Sequence, residues 1–360
     1  MNIQLYEPEL SRGGGIFSYL YQALMKCKGA SAAEGKRPLP KITEPREHSS
    51  AWARFGAWHV FFDMSDHPFL FDLEALKRCD VYFKANLNRN VMRKALPESQ
   101  GNEGEGKVVP LLFFAGHLDF YKADTLYNRL YPMLKSRRWD LCHIVGVYEN
   151  CPQRGEKSIF LPEGPPPDPG RYHFWVRYHI QEALKSAGIK GYYRLTSRWM
   201  KEIEDNRLVF PSLSQRGFKH RMLASRMTVV NILPHALLPW KAGESLALGR
   251  PLLLERAPLV EIPEPFTLRE GEHYLEILPG FGSFSETAPI EDPASYRILE
   301  NLDLQALQER AAWLAGVLSD SERMALMRER SLKYSRDVLV PETVADYVCD
   351  QVRRVVHGQR

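Results

Sequence analysis

The sequence predicts an α/β protein of two doubly wound, Rossmann-like domains, and three observations carry that prediction. Short apolar runs of strand length alternate with segments of helical period, the pattern of a parallel sheet covered on both faces. The chain opens on strand, glycine-rich turn and helix, as doubly wound domains do. Its 360 residues suffice for two ordinary domains, each with its own hydrophobic core.

The elements follow in order. The opening IQLYEP reads as a short buried strand, and SRGGG (Ser11–Gly15) leads into a helix with Ile16, Leu20 and Leu24 at helical spacing. Residues 28–48, rich in Lys, Gly, Ala, Pro and Glu and without period, read as a loop. WHVFFD (Trp58–Asp63) suits a buried parallel strand, followed by a short helix around Leu73–Lys77 and a third strand, CDVYFKA. The polar, glycine-rich stretch Pro97–Lys107 reads as a linker and sets the expected boundary: a first domain over 1–107, a second over 108–335.

VVPLLFFAG (Val108–Gly116) is expected to be a central strand, then a helix over Thr125–Lys135 and a strand at WDLCHIVGVY. LPEGPPPDPG is a surface loop, because its prolines preclude regular structure. A helix with Val176, Ile180, Ala183, Leu184 and Ala187 on one face ends at Gly188. Strands at RLVFPSL, MTVVNIL and RPLLLE then alternate with helices at FKHRMLASR and HALLPWKAGESLALG. The tail is helical: Leu304, Leu307, Ala311, Leu314 and Leu318 form a stripe, Ser319 or Ser321 caps the next helix, and Pro341 starts a last one lined by Val344, Val348, Val352 and Val355.

Composition narrows the function classes. The net charge of +4 is too mild for a dedicated nucleic-acid binder, yet fits an enzyme handling anionic donors or working beside anionic lipid. No stretch approaches the roughly 20 apolar residues needed to cross a bilayer, and the start lacks the pattern of a secretory signal. Five cysteines with no CxxC pair argue against a disulfide framework and a zinc site, so reduced thiols and a cytoplasmic location are expected.

Residues 232–263, ILPHALLPWKAGESLALGRPLLLERAPLVEIP, carry the most information. They resemble the donor-binding region of GT-B glycosyltransferases, especially the exostosin-like and CAP10-like branches: a loop, a helix with an acidic residue, an Ala-Leu-Gly turn and an apolar strand. The resemblance runs on through HYLEI (His273–Ile277) and the helical tail from Leu304, covering roughly Val108 to the C-terminus in pattern. It implies two Rossmann-like domains facing a cleft, with C-terminal helices (336–360) crossing back onto the first. It also implies that Glu244 accepts hydrogen bonds from ribose hydroxyls, with His235 and Lys241 in the same donor segment. Ala236 stands where retaining members often carry a second acid, so the stereochemical outcome stays open. A helix beginning near Pro239 would turn unpaired N–H groups and its positive dipole end toward a nucleotide diphosphate. The plain alternative for Glu244 is a solvated helix surface.

Two further segments carry candidate residues, and the first of them resembles the opening strand of the family's second domain. In FFAGHLDFYKADTLYNR (113–129), Gly116 would let backbone approach the ligand, beside His117. Lys122, or less readily Arg129, would neutralise the leaving diphosphate. Surface cations on an ordinary strand-to-helix turn are the bland reading. FFDMSDHP (61–68) ends a strand of the first domain, where a general base for an acceptor hydroxyl belongs, and Asp63, Asp66 and His67 are the right groups. Asp66 could equally cap the following turn. Lys219, with His220 and Arg221, is a cationic cluster within reach of a diphosphate in this reading, though such clusters are usually solvated faces. SRGGG lacks the GxGxxG spacing of a dinucleotide site.

These readings predict a metal-independent glycosyltransferase that takes a nucleotide sugar as donor substrate, with no cofactor, and a glycan or glycoconjugate acceptor. No nucleic-acid partner is expected. Peripheral membrane contact is conceivable through LKSRRW (Leu134–Trp139). The alternatives are a nucleotide-sugar epimerase or hydrolase on the same frame, and a non-catalytic nucleotide-sugar-binding module.

Overall fold

A computed structural model describes residues 2–7, 17–33, 50–64, 71–96, 101–111, 139–146, 169–197, 209–211, 213–232, 238–279 and 302–358. The strands in these residues form two six-stranded sheets. The first holds β1 (Ile3–Leu5), β2 (Ser31–Ala32), β3 (Ser50–Phe55), β4 (Trp58–Asp63), β5 (Val81–Ala85) and β6 (Val108–Leu111), in the order β2-β1-β3-β4-β5-β6. Its pairings are parallel except those of β3, which runs antiparallel to both β1 and β4. The turn between β3 and β4 places Gly56 at φ 64°, a left-handed conformation that glycine adopts without a Cβ penalty.

The second sheet holds β7 (Trp139–Gly146), β8 (Gly191–Ser197), β9 (Val209–Pro211), β10 (Ser225–Val230), β11 (Leu252–Leu254) and β12 (Tyr274–Glu276). Every pairing is parallel, and the order is β12-β11-β10-β7-β8-β9. The chain therefore lays down β7, β8 and β9 in one direction, then returns to β7 and builds β10, β11 and β12 the other way. That is the doubly wound order, and the reversal lies between β7 and β10.

Two expectations about the boundary change. Val108–Leu111 pairs with β5, so the strand expected to open the second domain is the last of the first sheet. The stretch expected to be a linker holds a helix at Gly101–Lys107, so regular structure runs directly into β6. The sequence predicts none of strands β2, β3 and β8, and β2 falls within the stretch 28–48 read as a loop.

Ten helices cover the sheets among the described residues: α1 (Ser18–Lys28), α2 (Leu73–Arg78), α3 (Arg89–Ala95), α4 (Gly101–Lys107), α5 (Pro169–Ser186), α6 (Gln215–Leu223), α7 (Trp240–Ala247), α8 (Leu304–Ser319), α9 (Ser321–Asp337) and α10 (Pro341–Val356). Both faces of the central strands are buried, and alternate residues serve different cores. Phe62 and Phe83 join one cluster while Phe61 and Tyr82 join another; Leu252 and Leu254 part in the same way from Leu253. Helix starts follow side-chain chemistry: Asp72 Oδ1 accepts from Ala75 N–H, Asn88 Oδ1 from Val91 N–H and Ser214 Oγ from Gly217 N–H. Asp320, rather than either neighbouring serine, caps α9 through Arg323 N–H, because its carboxylate is the stronger acceptor at that position. Leu304 of the expected stripe is exposed; Leu307, Ala311, Leu314 and Leu318 are buried.

The last helix returns to the first sheet. Val344, Val348 and Val352 are buried in a cluster that also holds Ile3, Leu24 and Phe83 of the first half and Val230, Leu254 and Phe266 of the second. The Tyr19 hydroxyl donates to the Leu339 carbonyl, and the Tyr347 hydroxyl to the Pro110 carbonyl at 2.6 Å. The Tyr347 ring meets Phe266 edge-on at 5.4 Å.

Segments leaving the carboxyl ends of the two sheets also touch. Glu261 N–H, beyond β11, donates to the Leu87 carbonyl beyond β5 at 2.7 Å. Asn88 Nδ2 donates to the Leu259 carbonyl at 3.1 Å, and Arg89 Nε to Glu261 at 3.1 Å. Among the described residues no helix is long and apolar enough to cross a membrane.

Candidate donor site at the switch point of the second sheet

In a doubly wound sheet the ligand crevice lies outside the carboxyl ends of the two strands flanking the reversal, here β7 and β10. The sequence places an unusual set of polar groups there. His143 and Ile144 are near the end of β7, Asn231 follows β10, Glu255 follows β11, and Lys241 and Glu244 belong to the first two turns of α7.

Three of these side chains form a hydrogen-bonded row across adjacent strand ends. His143 Nε2 lies 3.1 Å from Asn231 Oδ1, and Asn231 Nδ2 donates to Glu255 Oε1. Glu255 Oε2 accepts the Ile232 N–H at 2.5 Å. Because Asn231 uses its amide nitrogen on Glu255, its oxygen faces His143, which makes Nε2 the protonated nitrogen and leaves Nδ1 an acceptor. Nδ1 is buried and has no partner among the described residues. Burial lowers the His143 imidazole to about 3, with the nearby Lys241 and Arg177 charges adding to the effect, so the ring is neutral. Burial also raises the Glu255 carboxyl, against the two hydrogen bonds that favour its charge.

On α7, Lys241 Nζ donates to the Ile144 carbonyl at 2.6 Å, and burial lowers its ammonium to about 8. Glu244 is buried, and neither carboxylate oxygen has a partner among the described residues. Desolvation pushes its carboxyl up to about 8, with the Lys241 and Lys219 charges pulling the other way. A buried carboxyl without a partner carries an uncompensated desolvation cost, and such groups mark sites where a ligand completes the hydrogen bonding. The α7 start is compatible with an anion: Pro239 at the N-cap supplies no side-chain acceptor, and no acid occupies the first turn.

The structure thus brings Lys219, Lys241 and Glu244 of the expected donor residues together. It adds His143, Asn231, Glu255 and the buried Arg177, which sequence reasoning missed. Glu244 is not the solvated surface residue of the plain alternative. Asp63, expected among the catalytic acids, is fully buried at the end of β4; its Oδ2 accepts the Tyr82 hydroxyl at 2.6 Å and lies 3.5 Å from the buried Lys84 ammonium. Those contacts bind strand ends together and leave the carboxylate out of reach of solvent. Asp66, His67, Gly116, His117, Lys122, Arg129 and His235 lie outside the described residues, as does the SRGGG turn. Among the described residues no three His, Cys, Asp or Glu side chains gather as metal ligands.

Two α/β halves with their carboxyl strand ends turned to one another, and a last helix that returns to the first half, make the GT-B architecture. Strand order and connectivity establish this, with the antiparallel β3 as a departure in the first sheet. No protein-family model matches the chain, and no curated protein matches it by sequence. Among solved structures it is similar to Anabaena HepE in complex with UDP and glucose, at 11% identity, TM-score 0.44, over 82% of this chain and 71% of that one. The complex of HepE with UDP-glucose gives 11% identity and TM-score 0.42 over 80% and 70%. The GtfA/B complex gives 9% and 0.35 over 84% and 63%.

Proposed function

We propose that this protein is a glycosyltransferase that binds a nucleotide-sugar donor at the switch point of the second sheet and passes the sugar to an acceptor hydroxyl at the facing ends of the first. One observation carries the reading: the buried Glu244 carboxyl, without a partner among the described residues, beside Lys241 and Lys219 at the place where a doubly wound sheet holds its ligand. Ribose hydroxyls would give Glu244 the partners it lacks. Lys241, Lys219 and the open N–H groups of α7 would face the diphosphate and stabilise the charge that grows as it leaves. The neutral His143, held by Asn231 and Glu255, offers an acceptor at Nδ1 for a donor hydroxyl or amide. The acceptor's base is proposed to come from Asp66 or His67, with Lys122 and His235 beside the donor and no cofactor taking part. The exostosin-like and CAP10-like resemblance favours assembly of a glycan or surface polysaccharide, and the cysteine usage favours a cytoplasmic location.

The test is a thermal-shift screen of nucleoside diphosphates and nucleotide sugars, followed by turnover of the labelled donor. A nucleotide present at 100 times its Kd should stabilise the folded chain by about 2.7 kcal/mol. Glu244→Gln should lose at least tenfold in nucleotide affinity. The reading fails if no nucleotide stabilises the wild type or if Glu244→Gln binds as tightly. Binding without turnover on any acceptor would identify a binding module, and free or epimerised sugar without acceptor would identify a hydrolase or epimerase.

A further inference from the structure

A cavity of about 660 Å³ lies on the first half, away from the switch point. Its apolar floor is Val108, Val109 and Pro110 of β6, continued by Val355. Its walls bring three guanidiniums from two separate helices, Arg89 and Arg93 of α3 and Arg354 near the end of α10, against a single lining carboxylate, Glu105. That carboxylate is taken by Arg93, through Nε at 3.1 Å and a terminal nitrogen at 2.7 Å. Arg89 is held at the back of the cavity by Glu261 at 3.0 Å and, at a long 3.4 Å, by the Val108 carbonyl. Arg354 pairs with no acid among the described residues, whereas its neighbour Arg353 has Asp350. Gln351 stands one helical turn before Arg354 and lines the same wall.

The volume falls within the roughly 300–1,000 Å³ typical of small-molecule sites. A guanidinium presents N–H donors in a planar fork that matches a carboxylate or phosphate, and among the described residues no acid takes the Arg354 fork. The valine and proline floor suits the C–H face of a sugar ring. We propose that this cavity is a second ligand site that takes an acidic sugar unit, its carboxylate or phosphate held by Arg354 with Arg93 and Arg89 around it. The sugar part rests on the glycosyltransferase reading; the oxyanion part stands on the cavity itself. Because Arg89 also bridges to Glu261 of the second half, the site adjoins the contact between the halves.

Isothermal titration of the full chain with glucuronate, glucose 6-phosphate, inorganic phosphate and glucose, at constant ionic strength, tests this. The expected result is saturable binding of glucuronate, glucose 6-phosphate or both, at least tenfold tighter than glucose. Arg354→Ala should weaken it tenfold or more, and Arg354→Lys should recover little, since an ammonium cannot fork. Arg354 is exposed, so both variants should fold. No saturable binding of either acidic sugar overturns the proposal, as does undiminished binding by Arg354→Ala. Inorganic phosphate binding as tightly as glucose 6-phosphate overturns the sugar part. A panel of nucleoside diphosphates titrated into the same samples separates the two sites: nucleotide binding with no acidic-sugar binding sinks this proposal alone, and acidic-sugar binding with no nucleotide binding sinks only the donor-site reading.

Discussion

At neutral pH Glu244 carries a proton, because burial lifts its carboxyl from an ordinary 4.5 to about 8. Between those values the folded chain holds a proton that the unfolded chain has released. This group's contribution to stability is therefore complete below about 4.5 and is lost as pH rises through 8. Lys241 has the opposite sense: its ammonium falls from 10.5 to about 8, so its penalty applies below 8 and lifts as pH rises to 10.5. Together they place a local minimum of stability near pH 8. In Glu244→Gln the acid limb should vanish, so its melting temperature should gain on the wild type steadily from pH 5 to 8; a constant difference would mean that Glu244 is not desolvated. Asn231→Ala should act through partners, stranding Glu255 Oε1 and His143 Nε2 in buried surroundings at a cost of about 1–3 kcal/mol in urea unfolding. The site was legible in the sequence only where its residues cluster locally. Lys241 and Glu244 share one helix and one recognisable pattern. His143, Asn231 and Glu255 lie far apart along the chain, each within or beside an apolar strand, and only the parallel pairing of β7, β10 and β11 makes them neighbours.

Elements of strong period were the readable ones: α5, α8 and α10, and strands such as β4, β5 and β7. The missed ones have physical reasons. Strand β3, SAWARF, sets its bulky Trp52 and Phe55 among Ser50, two alanines and Arg54, so it offers neither a continuous apolar run nor a clean alternation. Helix α4 has the sequence GNEGEGK, whose three glycines each cost about 1 kcal/mol of helix propensity, so tertiary context outweighs the local preference. Glycine position also yields a test of packing between α7 and α9. Gly249 sits at φ 62°, and a Cβ there would lie 2.6 Å from Leu332 Cγ, so Gly249→Ala should cost about 1–3 kcal/mol through strain and overpacking. Gly188→Ala meets only the positive φ, with nothing within 4 Å of the new carbon, and should cost about 1–2 kcal/mol. Equal losses in the two variants would show that Leu332 yields freely.

The architecture predicts how the whole molecule unfolds. A chain of two α/β halves could melt in two steps, each half carrying its own core. Here one buried cluster runs from Ile3 and Phe83 of the first half through Val344, Val348 and Val352 of α10 to Leu254 and Phe266 of the second. Hydrogen bonds reinforce that continuity, from Tyr347 to Pro110 and from Tyr334 to Phe266, both at 2.6 Å. Neither half can expose its share of the cluster without stripping α10 from the other, so the halves are thermodynamically coupled. Calorimetry should show a single transition whose van't Hoff and calorimetric enthalpies agree. Val348→Ala, a fully buried position, should lower stability by about 2 kcal/mol while leaving that transition single. If the halves are independent instead, the variant will split the trace, moving a first-half component down and leaving a second-half component in place.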